Sequence, residues 1–270
     1  MRPRVTLTTD FGTRDPYLAQ LKGVLYARGP TELEIVDLTH DIEPHNLREA
    51  ALFVRSALPR FPLGTIHLVV VDPGVGSARR ALALECAGQR MLGPDNGVLS
   101  WLFDRVDETH AVEIDAERLG VTALSSTFHG RDLFAPAAAR LAHGASLDEL
   151  GSRLGALTRL AFPIPERTGQ WLQGEIIHVD RFGNLITNLP RAELDAVLSQ
   201  RGQANVRLAN AAPMQLVRCY AEAPADTLVV LVGSTDLLEI AVRNASAQRL
   251  SGARVGDLVS LDLAEQSGRA

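Results

Sequence analysis

The residues best equipped for chemistry gather first in LVVVDPGVGSARR, positions 68–80. Asp72 offers a carboxylate that can accept hydrogen bonds or a proton, and Arg79 a fixed, permanently charged fork of donors. Between them Pro73, Gly74 and Gly76 let the backbone turn sharply and come close to a ligand, because glycine lacks the Cβ that would collide. An ordinary turn with a surface Asp fits this stretch equally well. Asp10, in TTDFGTRDPY, has two open readings: a carboxylate that binds a ribose diol, or a helix cap shared with Asp15. His129, in STFHGRDLFAPAAARLAHG, stands just ahead of an Ala-rich helix. The positive end of a helix dipole disfavours imidazolium, so a His there stays neutral and fit to act as a base. A hydrogen-bonded loop His is the alternative. Arg131 and Asp132 read as a pair or a cap. His40 and His45 straddle Pro44 and lack a third ligand, so turn and cap roles are favoured over metal. Asp95 reads as a cap at a helix start rather than as a substrate contact.

Those residues fall where strands end. Residues 68–71 are apolar and too few for a helix, which predicts a strand covered on both faces, as in parallel α/β sheets. In such sheets ligands bind beyond the carboxyl ends of the strands. Further strands are expected at 5–9, 34–38, 81–86 and 111–114. Helices are expected at 17–27, 47–58 and after His129, with another beginning near Asp95 and Asn96. A Pro-rich segment, PIPERTG at 163–169, marks a domain boundary. Beyond it the helix-length patterns thin out. Short strands at 174–180, 206–208, 214–218, 228–232 and 255–263 predict a small sheet or barrel.

Composition narrows the function classes. The 270 residues carry a net charge of −5 with no basic stripe, which argues against nucleic acid as a partner. Cys86 and Cys219 have no ligand-spaced neighbours, so neither a disulfide framework nor a zinc site is signalled, and a reducing cytoplasm is expected. No stretch reaches the ~18 apolar residues of a membrane span, and the start of the chain lacks a secretory pattern. The first loop lacks the G-x-G expected of a nucleotide-binding strand-turn-helix, which weighs against a methyltransferase.

Taken together, TTDFGTRDPY, VDLTHDIEPHN, VVVDPGVGSARR, GPDNG, TFHGRDLFAPAAA, DRFGNLITN and GSTDLLEIA resemble the S-adenosyl-L-methionine hydroxide adenosyltransferase family, related to the fluorinase and chlorinase enzymes. The resemblance is collinear over nearly the whole chain. It implies an α/β fold: a Rossmann-like N-terminal domain, residues 1–164, and a smaller β-barrel-like C-terminal domain, residues 165–270. It also implies a homotrimer with S-adenosylmethionine (SAM) between one subunit's N-terminal domain and its neighbour's C-terminal domain. The catalytic set carried over is Asp72, Arg79 and His129; Arg80 is adjacent, and the family's spacing alone selects Arg79. Asp10 matches the ribose ligand and Asp15 lies on the same loop. Asp180 matches the residue holding the methionine amino group, Asn184 a reader of adenine, and Ser234 a neighbour of the methionine carboxylate. Asn244 and Ala245 match an adenine-contacting turn. The halogenating relatives have Tyr where this chain has Asp72, the fluorinase has Ser where it has Gly130, and both carry an extra loop absent here. These departures point to water rather than halide. The implied reaction is hydrolysis of SAM to adenosine and L-methionine, with SAM as substrate and no cofactor or metal. A chlorinase-like transferase and a non-catalytic SAM or nucleoside sensor are the alternatives.

Overall fold

The computed structural model describes residues 2–100, 110–209 and 211–263, and the chain divides into two compact units, Met1–Ala161 and Phe162–Ala270. In the first, seven strands form one sheet: β1 (Arg4–Thr9), β2 (Glu34–Thr39), β3 (Ile66–Val70), β4 (Ala81–Cys86), β5 (Gln89–Pro94), β6 (His110–Ile114) and β7 (Gly151–Arg153), ordered β2-β1-β3-β5-β4-β6-β7. The first four in that order are parallel. β4 runs antiparallel to β5 and β6, and β6 to β7.

The apolar run of β3 explains why it sits inside. Ile66, Leu68 and Val70 enter one hydrophobic cluster and Val69, with Val71 just beyond the strand, enters another on the opposite face. Successive side chains of a strand point to opposite faces, so the apolar run 68–71 must be covered twice. Helix α1 (Tyr17–Arg28) and helix α3 (Ala135–Ala142) cover the first face through Leu21, Leu25, Ala138 and Leu141. Helix α2 (Leu47–Ala57) covers the second through Ala50 and Val54, and Asn46 caps it by accepting from the Glu49 backbone NH at 3.1 Å.

Two expectations are corrected here. The GPDNG stretch does not open a helix directly: Gly93 and Pro94 end β5, and Asp95 lies in the turn beyond. Ser100 is the first helical residue after the turn, and residues 101–109 lie outside the described residues. The second is a strand that was not expected: β5 follows β4 directly and pairs with it as a hairpin through Ala87 and Gly88, both at positive φ.

The second unit is built on β8 (Glu166–Thr168), β9 (Trp171–Val179), β10 (Leu185–Pro190), β11 (Val206–Leu208), β12 (Gln215–Leu216), β13 (Leu228–Val232), β14 (Leu237–Val242) and β15 (Leu258–Asp262). They follow the path β11-β15-β9-β10-β14-β13-β12, with β8 on β9. An isolated bridge from Val206 in β11 to Met214, just before β12, brings the two ends of that path together, so the sheet is nearly closed and barrel-like. Helix α4 (Arg191–Arg201), not anticipated from the sequence, follows Pro190 and ends on Gly202 in the left-handed region at φ 72°. A short helix, α5 (Ala247–Ser251), begins at Ser246, whose Oγ accepts from the Arg249 backbone NH at 3.1 Å.

Candidate active site

Parallel pairing of β1 with β3 sets Thr9 beside Val70, so the residues that follow, Asp10 and the Val71–Asp72 pair, leave the sheet at the same end. That is the edge where α/β sheets hold ligands. Asp10 does not cap α1, whose first turn follows Pro16 without a side-chain cap. Its Oδ2 instead accepts from the backbone NH of His45 at 2.9 Å, and Gly12 donates to the His40 carbonyl at 2.8 Å. These bonds tie the loops after β1 and β2 together. His45 is held at φ 69°, a conformation costly for a residue with a Cβ. His40 is buried against the Thr9 hydroxyl at 2.9 Å.

The turn after β3 carries Arg79 back onto Asp72. Ser77 donates from its hydroxyl and its NH to the Gly74 carbonyl, at 2.6 and 3.1 Å, and the Ser77 hydroxyl receives the Arg79 NH at 3.3 Å. Arg79 then grips Asp72 with two donors: Nε reaches Oδ1 at 2.8 Å, and Nη2 bonds Oδ2. The same Nη2 meets Nδ1 of His129 at 2.7 Å. Gly76 permits this closeness: it stands at φ 78°, and a Cβ there would collide with the Ser126 carbonyl oxygen on the loop that leads to His129. His129 opens a π-helical turn, Gly130–Phe134, a local widening frequent at functional sites.

The Arg79–His129 contact fixes a tautomer. A guanidinium only donates, so Nδ1 must accept and the proton of neutral His129 sits on Nε2. The pKa of His129 lies below the ordinary value, chiefly through burial and then the Arg79 charge, with Asp72 and Asp132 opposing. His129 is therefore neutral at neutral pH. The arginine next in sequence turns elsewhere: Arg80 donates to Asp95 Oδ2 from Nε at 2.9 Å and to the Ala156 carbonyl at 2.8 Å. Asp95 also receives the Thr158 NH at 2.8 Å, so it holds the scaffold together.

Asp10, Asp72 and His129 line one cavity of about 440 Å³ in the first unit. Phe11, Tyr17 and Phe128 form an aromatic wall there, with Phe128 edge-on to Phe11 at 5.6 Å and to Tyr17 at 5.4 Å between centroids. Gly130 widens the space: a Cβ on it would stand 3.2 Å from Phe128 and 3.4 Å from Phe11. Asp15 is exposed and outside the cavity lining. Sequence reasoning passed over the aromatic wall, although Phe11 and Phe128 adjoin Asp10 and His129 in the chain. Among the described residues no three His, Cys, Asp or Glu side chains come together as a metal would require.

In the second unit, Asp180 folds the turn that follows β9. Its Oδ1 accepts the backbone NH groups of Phe182 and Asn184, each at 2.9 Å, and its Oδ2 accepts Asn184 Nδ2 at 2.9 Å. Gly183, at φ 85°, lies against Ser246, and its carbonyl receives the Gln248 NH at 2.9 Å. That contact sets the turn beside Asn244 and Ala245, both exposed, with Asn244 at φ 56°. Ser234 is exposed on the turn between β13 and β14.

Residues 5–151 match the model of the SAM hydroxide adenosyltransferase N-terminal domain, and residues 174–260 match that of its C-terminal domain. The chain belongs to the SAM hydroxide adenosyltransferase family. It is 40% identical over 268 residues to an (R)-S-adenosyl-L-methionine hydrolase of Thermus thermophilus, covering 97% of this chain and 100% of that one. A fluorinase of an Actinoplanes species is 30% identical over 221 residues, covering 72% and 74%. The crystal structure of an uncharacterised conserved protein from Thermotoga maritima superposes with a TM-score of 0.87 at 32% identity, covering 96% of this chain and 99% of that one.

Proposed function

We propose that this family member hydrolyses SAM to adenosine and L-methionine, and that Asp72, Arg79 and His129 activate the water. The observation that carries the reading is the single guanidinium nitrogen shared by Asp72 and His129 at the wall of the cavity. The hydrolase name of the relative sharing 40% of its sequence supports the same activity.

The geometry favours particular roles. Arg79, engaged with both partners, positions them rather than meeting the nucleophile itself. His129, expected as the base, has no free lone pair for a proton while Nδ1 accepts from Arg79 and Nε2 carries hydrogen; it instead donates from Nε2 to the attacking water and fixes one of its lone pairs, leaving the other for carbon. Asp72 keeps lone-pair capacity after accepting two bonds from Arg79, since a carboxylate has about four acceptor sites. As the C5′–O bond forms and the C5′–S bond breaks, the water becomes acidic and its proton passes to Asp72, then to solvent. Methionine leaves neutral at sulfur. Attack on a sulfonium cancels charge, so a cavity walled by Phe11 and Phe128 that limits hydration assists the step. In-line placement of water, C5′ and sulfur supplies a further large share. Asp10, with Oδ1 unengaged among the described residues, is left to receive the ribose hydroxyls.

The finer parts of the reading follow the resemblance. Asp15 would lie on the loop that carries Asp10; Asp180 would hold the amino group and Ser234 the carboxylate of the methionine moiety. Asn184, Asn244 and Ala245 would contact adenine. The assembly would be a homotrimer in which one subunit's C-terminal unit completes its neighbour's site, acting in the cytoplasm without cofactor. Cys86 and Cys219 form no disulfide. No helix among the described residues is long and apolar enough to cross a membrane. The test is turnover of SAM in ¹⁸O-water: adenosine labelled at its 5′-oxygen is expected, and unlabelled adenosine, or none, refutes attack by solvent.

A further inference from the structure

Strand β14 reads LLEIAV, and every residue in it is buried, Glu239 included at 5% exposure. A carboxylate in such a place is costly unless both oxygens are satisfied. Only one is. Glu239 Oε1 accepts the Tyr220 hydroxyl at 2.5 Å, and Oε2 has no hydrogen-bond partner among the described residues. Oε2 lies against Gly233, where a Cβ would stand 2.7 Å away, so the absent side chain keeps the oxygen open to the turn that carries Ser234. Burial, and after it the charge of Asp180, pushes the Glu239 pKa up, against the Tyr220 bond. Glu239 pairs with Ile186 across β14 and β10, and the neighbouring Leu185 pairs with Val179 across β10 and β9, which sets Glu239 one strand away from the turn that Asp180 begins.

Counting acceptors shows what is missing. An ammonium group brings three donors, while Asp180 already accepts three hydrogen bonds from its own turn. A carboxylate has about four acceptor sites, so Asp180 alone has room for roughly one more. We propose that Glu239 is the second carboxylate of the amino-acid subsite: its open Oε2 joins Asp180 in receiving the α-ammonium group of the substrate, while Tyr220 holds the other oxygen. This rests on the reading of Asp180 as the ammonium partner. Glu239 then supplies selectivity for an amino-acid tail over a tail without the amine. It takes no part in the displacement at C5′.

Equilibrium dialysis of the full chain with SAM, and with an analogue whose α-amino group is replaced by hydrogen, tests this. Glu239→Gln keeps the volume and an acceptor for Tyr220. It should weaken SAM binding about tenfold or more, the worth of a charge-assisted bond, and leave the analogue unchanged. Unaltered SAM binding, or an equal loss for both ligands, overturns the proposal. Should the variant fail to fold, Tyr220→Phe leaves the carboxylate present but undirected, and the preference for SAM over the analogue should fall; an unchanged preference overturns the proposal. Wild-type protein that shows this amine preference yet makes no adenosine would defeat the hydrolase reading and leave Glu239 standing. Wild-type protein that binds neither ligand would defeat both.

Discussion

Arg79 offers the sharpest perturbation, because one side chain serves two others. The Asp72 and Arg79 side chains are only 6% and 10% exposed, so Arg79→Met strands a buried carboxylate with no counter-charge. Breaking a buried pair from one side costs about 3–5 kcal/mol. Arg79→Lys keeps the charge, but a single ammonium cannot reproduce the fork on Asp72 and the bond to His129 together. We expect the Lys variant to retain more of the stability than Met and still to lose about 10²-fold in kcat, the usual consequence of misplaced reacting groups. In Arg79→Met the cation that lowers the His129 pKa is gone while Asp72 and Asp132, which raise it, remain. The His129 imidazole should therefore titrate at higher pH in this variant than in the wild type, read from its ring signals by NMR.

Urea denaturation gives the stability half and adenosine release followed by chromatography gives the catalytic half. A double-mutant cycle closes the argument. Asp72→Asn/Arg79→Met removes both charges, so it should cost clearly less than the two single changes added together. Strict additivity in stability, an Arg79→Lys enzyme with wild-type kcat, or a His129 titration unmoved in Arg79→Met would refute the claim that this fork organises the site.

Two further outcomes follow from buried groups nearby. Gly76→Ala places a Cβ at φ 78° and into the Ser126 carbonyl; it should destabilise by about 2–4 kcal/mol and depress kcat, read by urea denaturation and by turnover below the new midpoint. His67 is fully buried between Thr6 Oγ1 and Gln89 Oε1, each at 2.7 Å, and burial lowers its pKa to about 4. The unfolded chain takes up this proton below about pH 6.5 and the folded chain does not, so stability is complete above that pH. It should fall by about 3 kcal/mol as pH drops from about 6.5 to 4, a loss that His67→Gln should lessen in urea titrations at the two pH values.

The sequence was most readable where one physical demand acted alone. Residues 68–71 are apolar throughout because both faces are covered, and nothing else in the chain competes with that signal. β5 was hidden because Gly93 and Pro94 read as a turn. Gly93 is there for packing, since a Cβ would come 2.5 Å from the Val69 carbonyl oxygen. α4 was hidden because its buried side among the described side chains rests on Leu194 and Val197, too few for a helical stripe to show. Glu239 was hidden for the opposite reason. A polar residue in an apolar strand is ordinarily its solvent-facing position, and only the barrel-like closure shows that this strand has no such face.

The dipeptide Arg79–Arg80 shows why the site itself was half legible. Two arginines after a Gly-rich turn are chemically equivalent in sequence, and nothing local separates them. Arg80 stands just ahead of β4 with its carbonyl held by the Asp95 NH at 3.0 Å, and the two side chains reach different partners. Arg80 crosses to Asp95 and the Ala156 carbonyl, and Asp95 in turn holds Thr158. One arginine thus pins the end of the turn to the scaffold, and the other projects from the pinned end onto Asp72 and His129. A guanidinium shared by two partners needs a backbone fixed to a fraction of an ångström. The anchoring arginine provides that fixity, which makes the apparent redundancy a division of labour between holding the loop and organising the reacting groups.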